Sequence, residues 1–81
     1  MKLIFRNEYR GTSRLLGEYN THQECVREIY KFCENRNFKI YYARSWVENG
    51  ITWYDVGSHA EFFLIEGDEN EVLKSANNST S

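Results

Sequence analysis

The sequence contains no proline, only two cysteines and five scattered glycines in 81 residues. Without proline there is no stiff polyproline spacer and no loop-dominated secreted scaffold. Two cysteines fall short of the four or more that usually staple a secreted domain of this size. The glycines sit singly at turns, so there is no glycine-rich phosphate loop. No apolar run approaches the roughly 20 residues that span a bilayer. The amino end, MKLIFRNEYR, places Arg6, Glu8 and Arg10 where a signal peptide carries its apolar block. Together these absences predict a cytoplasmic protein without membrane contact.

Charge of one sign is scarce as well. The formal net charge of −2 gives no global drive toward nucleic acid or an anionic membrane. The last 22 residues, 60–81, hold five acids against Lys74, a local −4. The first 59 hold seven acids against nine Lys and Arg, a local +2. The acidic end reads as a solvated tail.

At this length the chain predicts one domain, which buries only about 60–65% of the surface its unfolded form exposes. Aromatic residues, at 16%, offset the small size through their large buried areas. They concentrate in FKIYYARSWVE and ITWYDVGS, on either side of Asn49-Gly50. Asn-Gly between aromatic and β-branched runs is the strongest short-range hairpin signal, because a type I′ turn requires φ > 0 at both central residues. A two-residue loop there pairs Glu48 with Ile51, Val47 with Thr52, Trp46 with Trp53 and Arg44 with Asp55. One face then carries Ile40, Tyr42, Arg44, Trp46, Trp53 and Asp55. The other, with Tyr41, Ala43, Ser45, Val47, Thr52, Tyr54 and Val56, is the better candidate to lie under a helix.

The remaining elements follow in order. Lys2–Arg6 reads as a strand, Asn7 and Gly11 bracket a turn, and Thr12–Tyr19 forms a second strand. Leu15 and Leu16 are adjacent, so one of them sits on a covered second face or at a bulge near Gly17. Thr21-His22-Gln23-Glu24 matches a capping box in which Thr21 and Glu24 each bond the other's amide. Cys25, Val26, Ile29, Phe32 and Cys33 continue from it as one apolar stripe. Asn35-Arg36-Asn37 ends the helix with an Asn in the left-handed conformation. Phe62-Phe63-Leu64-Ile65, within the strand Ala60–Glu66, is apolar on both faces, which predicts a central place in the sheet. Gly67 stops it. Asp68 caps a turn through Val72 and Leu73, and Ser75–Ser81 reads as disordered. The expected fold is α+β: a five-stranded antiparallel sheet with one helix on one face, order ββαβββ. It spans residues 1–67, and 68–81 form the tail.

Site chemistry is sparse. His22, Cys25, Cys33 and His59 invite a metal, but eight helical residues separate the two cysteines by about 12 Å. That distance also forbids a Cys25–Cys33 disulfide, so the stripe makes both thiols core residues. No metal or cofactor is expected. Ser45, Ser58 and His59 lack a Gly-x-Ser-x-Gly elbow. Asp55, Glu61 and Glu66 are acids of the kind any surface sheet offers, and the chain reads as non-enzymatic. The aromatic hairpin is the sharper signal: Tyr42, Arg44, Trp46, Trp53 and Asp55 form a candidate partner-binding face rich in hot-spot side chains. The alternative is a self-packed face, with Trp46 on Trp53 and Arg44 tied to Asp55. Single-stranded nucleic acid also uses aromatic platforms, but Glu48, Asp55 and Glu61 dilute Lys39, Arg44 and Arg14.

With its MKLIF…EYRGT opening, one helix and YYARSWVENGITWYDVGSHAEFF, the chain resembles small phage and prophage open reading frames of Gram-positive bacteria. The resemblance rests on texture (short, aromatic, acidic, proline-free) and carries no site residues. It implies an accessory protein that binds and modulates a host or phage macromolecule, such as an inhibitor of a bacterial defence system. The expected function is therefore a protein-binding module acting through the aromatic face or an open sheet edge, an edge that would also support a homodimer. The alternatives are a small-molecule or nucleotide binder and a single-stranded nucleic-acid binder.

Overall fold

A computed structural model describes residues 1–67; the expected turn at Asp68 and the disordered tail lie outside the described residues. The elements are β1 (Lys2–Asn7), β2 (Thr12–Glu18), α1 (His22–Asn35), β3 (Arg44–Glu48), β4 (Ile51–Asp55) and β5 (Glu61–Glu66). This is the α+β order ββαβββ. The strands make one antiparallel sheet in the order β2-β1-β5-β4-β3. β5 is central because Phe63 and Ile65 fill the core beneath α1 while Phe62 and Leu64 serve the opposite face.

The hairpin between β3 and β4 turns on Asn49 (φ 53°) and Gly50 (φ 77°), the two positive dihedrals of a type I′ turn. Its register is Glu48–Ile51, Val47–Thr52, Trp46–Trp53, Ser45–Tyr54 and Arg44–Asp55. The β1–β2 pairing slips by one residue: Leu3 faces Gly17 and Ile4 faces Leu15, which leaves Leu16 as the bulge. The bulge resolves the double leucine. Leu16 packs against the core, whereas Leu15 is exposed.

Thr21 caps α1, its hydroxyl accepting the Glu24 amide at 3.1 Å. The reciprocal half of the capping box differs from expectation. The Glu24 carboxylate accepts from the Asn20 amide at 3.2 Å, one residue earlier than Thr21. At the other end Asn37 adopts φ 55°, and the Phe38 amide donates to the Cys33 carbonyl.

Cys25, Ile29 and Cys33 are buried against Leu3, Val56, Phe63 and Ile65. Among the described residues, neither thiol is in a disulfide. The helix-facing side of the sheet is the expected one, carrying Tyr54 and Val56, but Ala43 and Val47 on that side remain exposed. A helix about 10–12 Å wide covers only two or three strands spaced about 4.8 Å apart, and β3 is the edge farthest from β1.

The first hairpin strand is shorter than its sequence predicts. Residues 38–43 carry no regular structure, and pairing begins at Arg44. Phe38 and Ile40 are drawn into the core as the chain leaves the helix. Ile40 therefore does not join the aromatic face.

Candidate docking face

Among the described residues, no helix lies over the sheet face turned away from α1. Alternation places Ile4, Phe62, Leu64, Ile51, Trp53 and Trp46 on that side. At its β3 end Trp46 and Trp53 stack across the strands, with ring centroids 6.1 Å apart and planes 11° from parallel. Phe62 stands edge-on to both, 6.2 Å from Trp46 and 5.7 Å from Trp53. The three rings form a supported platform. Leu64 is only 8% exposed although no helix among the described residues covers it.

The five expected site residues take different positions. Trp46 and Trp53 share the platform, each half-buried. Arg44 joins them: its guanidinium carbon lies 5.3 Å from the centre of the Trp46 ring. Tyr42 is about half exposed and reaches back through its hydroxyl. Asp55 departs from expectation, since at 4% exposure it cannot present itself to a partner. Its Oδ2 accepts from Tyr42 Oη at 3.2 Å and Arg44 Nε at 3.2 Å, and its Oδ1 accepts from the Gly57 amide at 2.9 Å. A buried carboxylate persists only when its oxygens are satisfied. Asp55 is thus the post behind the face, holding Arg44 beside Trp46.

Phe62 is the site residue that sequence reasoning missed. Its signal was present in a strand apolar on both faces: if Phe63 packs on the helix, Phe62 must lie beside Trp53.

Residues with catalytic or metal-binding character do not converge here. Among the described residues, no group of three or more His, Cys, Asp or Glu is placed to hold a metal ion. Burial pushes the Cys33 thiol up, against the lowering pull of Arg36, so it stays protonated at neutral pH. Ser58 donates its hydroxyl proton to Glu61 Oε1 at 2.9 Å.

The two sheet edges differ. Both carry a cation and an acid, but β2 also carries the Leu16 bulge, a device that blunts an edge. β3 pairs with β4 without a bulge, and Val47 on it is 70% exposed. Among the described residues, no helix is long and apolar enough to cross a membrane. Compared with family models, with curated proteins and with solved structures, the chain matches none.

Proposed function

We propose that this chain is a non-enzymatic binding module that captures an extended segment of a partner protein along β3. The reading agrees with an accessory protein that modulates a host or phage macromolecule. The observation that carries it is the bulge-free β3 edge lying directly beside the Trp46–Trp53–Phe62 platform. Strand addition draws affinity from main-chain hydrogen bonds and specificity from alternate side chains. Arg44, Trp46 and Glu48 point to one face, so an incoming antiparallel strand meets an acid at one end, a cation at the other and an aromatic ring between. The complementary segment reads Lys/Arg-x-aromatic-x-Asp/Glu from its amino end.

A specific observation favours a second occupant. β3 itself reads Arg44-Ser45-Trp46-Val47-Glu48, which is that same pattern. Two copies paired antiparallel about Trp46 would set each Arg44 against the other's Glu48, giving a homodimer with one continuous sheet.

Titration with a Lys-x-Trp-x-Glu peptide tests the partner reading, with amide exchange as the readout. The peptide should protect the β3 amides that point outward, and Val47→Lys should abolish the effect. Equal binding of the charge-reversed Glu-x-Trp-x-Lys peptide would sink it. Sedimentation distinguishes the homodimer, whose mass would fall to that of a monomer in Val47→Lys.

A further inference from the structure

The opposite edge of the molecule holds a second feature that the docking face does not use. Beyond the end of α1, on the helix side of the β1–β2 turn, lies an open groove of about 600 Å³. That volume lies within the range of small-molecule sites. Arg10, Arg14 and Arg36 line it, and among the described residues Glu61 is its only acid. Three guanidiniums against one carboxylate leave a local +2, in a chain whose net charge is −2. Three of the chain's ten Lys and Arg line this one groove.

Each part of the groove is anchored differently. Arg36 is held over the rings of Phe5 at 5.1 Å and Phe32 at 5.4 Å, and its Nη1 donates to Glu61 at 3.2 Å. Glu61 is committed further by Ser58, so its charge is spent on Arg36. Among the described residues, Arg10 and Arg14 pair with no acid. The turn carrying Arg10 is pinned by its own amide, which donates to Asn7 Oδ1 at 2.9 Å. The negative end of a helix would ordinarily repel an anion here. In α1 three of the last four carbonyls, those of Phe32, Cys33 and Glu34, already accept the amides of Arg36, Asn37 and Phe38. Tyr9 lies on the rim, 87% exposed.

We infer that this groove binds a nucleotide phosphate, with Arg10 and Arg14 as its ligand-facing cations and Tyr9 as a stacking ring for the base. Guanidinium matches phosphate geometry bidentately, and an exposed aromatic ring accepts any base. The phosphate belongs either to a free nucleotide or to a single strand, two sources with one chemistry. The groove lies on the other side of the sheet from the Trp46 platform, so it stands or falls independently of strand capture at β3.

The test is a titration of the full chain, followed by amide and arginine Nε resonances, with ADP, inorganic pyrophosphate and a short oligothymidylate as probes. Saturable shifts at Tyr9, Arg10 and Arg14 are expected, with affinity falling as salt rises. Arg10→Gln combined with Arg14→Gln should weaken binding about tenfold or more, which is about 1.4 kcal/mol or more. Tyr9→Ala should weaken ADP and leave pyrophosphate unchanged. Trp46→Ala should leave all three probes unchanged. Saturation by ADP identifies a free nucleotide as the source, and saturation by the oligonucleotide alone identifies a strand. Absence of saturable shifts with every probe, or equal binding by the double variant, would overturn the assignment.

Discussion

Asp55 receives the Arg44 Nε–H at 3.2 Å, a contact between a carboxylate only 6% exposed and a guanidinium side chain 67% exposed. The pair is asymmetric, and its two halves have different jobs. Asp55 also satisfies Tyr42 and the Gly57 amide, so it closes the end of β4 and fixes the turn that follows. Arg44 supplies charge at the surface and lies over Trp46. A residue that looks like part of the candidate docking face from its place in the register instead supports the side chains of that face.

Removal of the two partners should therefore cost very different amounts. Asp55→Ala leaves the Gly57 amide without its acceptor and frees the segment around Tyr42, at about 1.5–3 kcal/mol. Arg44→Ala leaves Asp55 with two other donors, Tyr42 and the Gly57 amide, and removes a guanidinium that is itself mostly exposed, at about 0–1 kcal/mol. Urea unfolding of both variants checks this. An Arg44→Ala loss equal to that of Asp55→Ala would refute the asymmetry.

The turn at Asn49-Gly50 offers a cleaner substitution. A Cβ added at Gly50 would meet nothing within 4 Å, so space does not oppose it. The backbone does, because φ there is +77°. Gly50→Ala should destabilise by about 1–2 kcal/mol through left-handed strain alone. Amide exchange in β3 should accelerate more than in β1, since among the described residues β3 pairs with β4 alone. Unchanged stability would mean that the turn is not type I′ in solution.

Much of this architecture is legible in the residues, for identifiable reasons. Asn-Gly dictates a turn whose length sets the register, and register then determines which side chains share a face. The two-sided apolar run of Phe62–Ile65 places β5 centrally for the same kind of reason. What escaped depended on the third dimension. Residues 38–43 look like strand by composition, yet Phe38 and Ile40 are taken by the core, and that choice is made by where α1 ends. The Asp55–Gly57 bond is a local Asx turn, but the burial of Asp55 also needs Tyr42 to reach it from outside the strand, a contact that no local pattern specifies.

Trp46 and Trp53 should separate under substitution. Trp53 is flanked by β3 and β5, whereas Trp46 has a strand on one side only. Both lose the stacked pair when either is truncated, about 0.5–1.5 kcal/mol. Trp53→Ala additionally opens a gap beside Phe62 and Leu64 in the middle of the sheet, for about 2–4 kcal/mol altogether, against about 1–2 for Trp46→Ala. Trp46→Ala is accordingly the variant for probing strand capture in a folded protein. Urea midpoints together with loss of the indole exciton signal in circular dichroism would measure both. A larger loss for Trp46 than for Trp53 contradicts the strand order.

Alkaline pH should reveal the helix–sheet contact through Tyr54. Burial, followed by its hydrogen bond with Tyr30 and the electrostatic effect of that residue, pushes the Tyr54 phenol up to about 12 from an ordinary value of 10.0. The folded protein thus holds this proton more tightly than the unfolded chain. The corresponding stability is fully present below about pH 10 and is lost progressively as pH rises from about 10 toward about 12. Six tyrosines contribute to the raw titration, including Tyr19, which burial also raises. The informative quantity is therefore the difference between wild type and Tyr54→Phe. The variant should keep a flatter alkaline limb in its urea midpoint while matching the wild type's shape near neutral pH. Tyr30→Phe should move the Tyr54 titration only part of the way back, because burial, the larger cause, remains. An alkaline slope identical in wild type and Tyr54→Phe would show that this phenol titrates freely in the folded state, and that α1 does not cover β4 at that point.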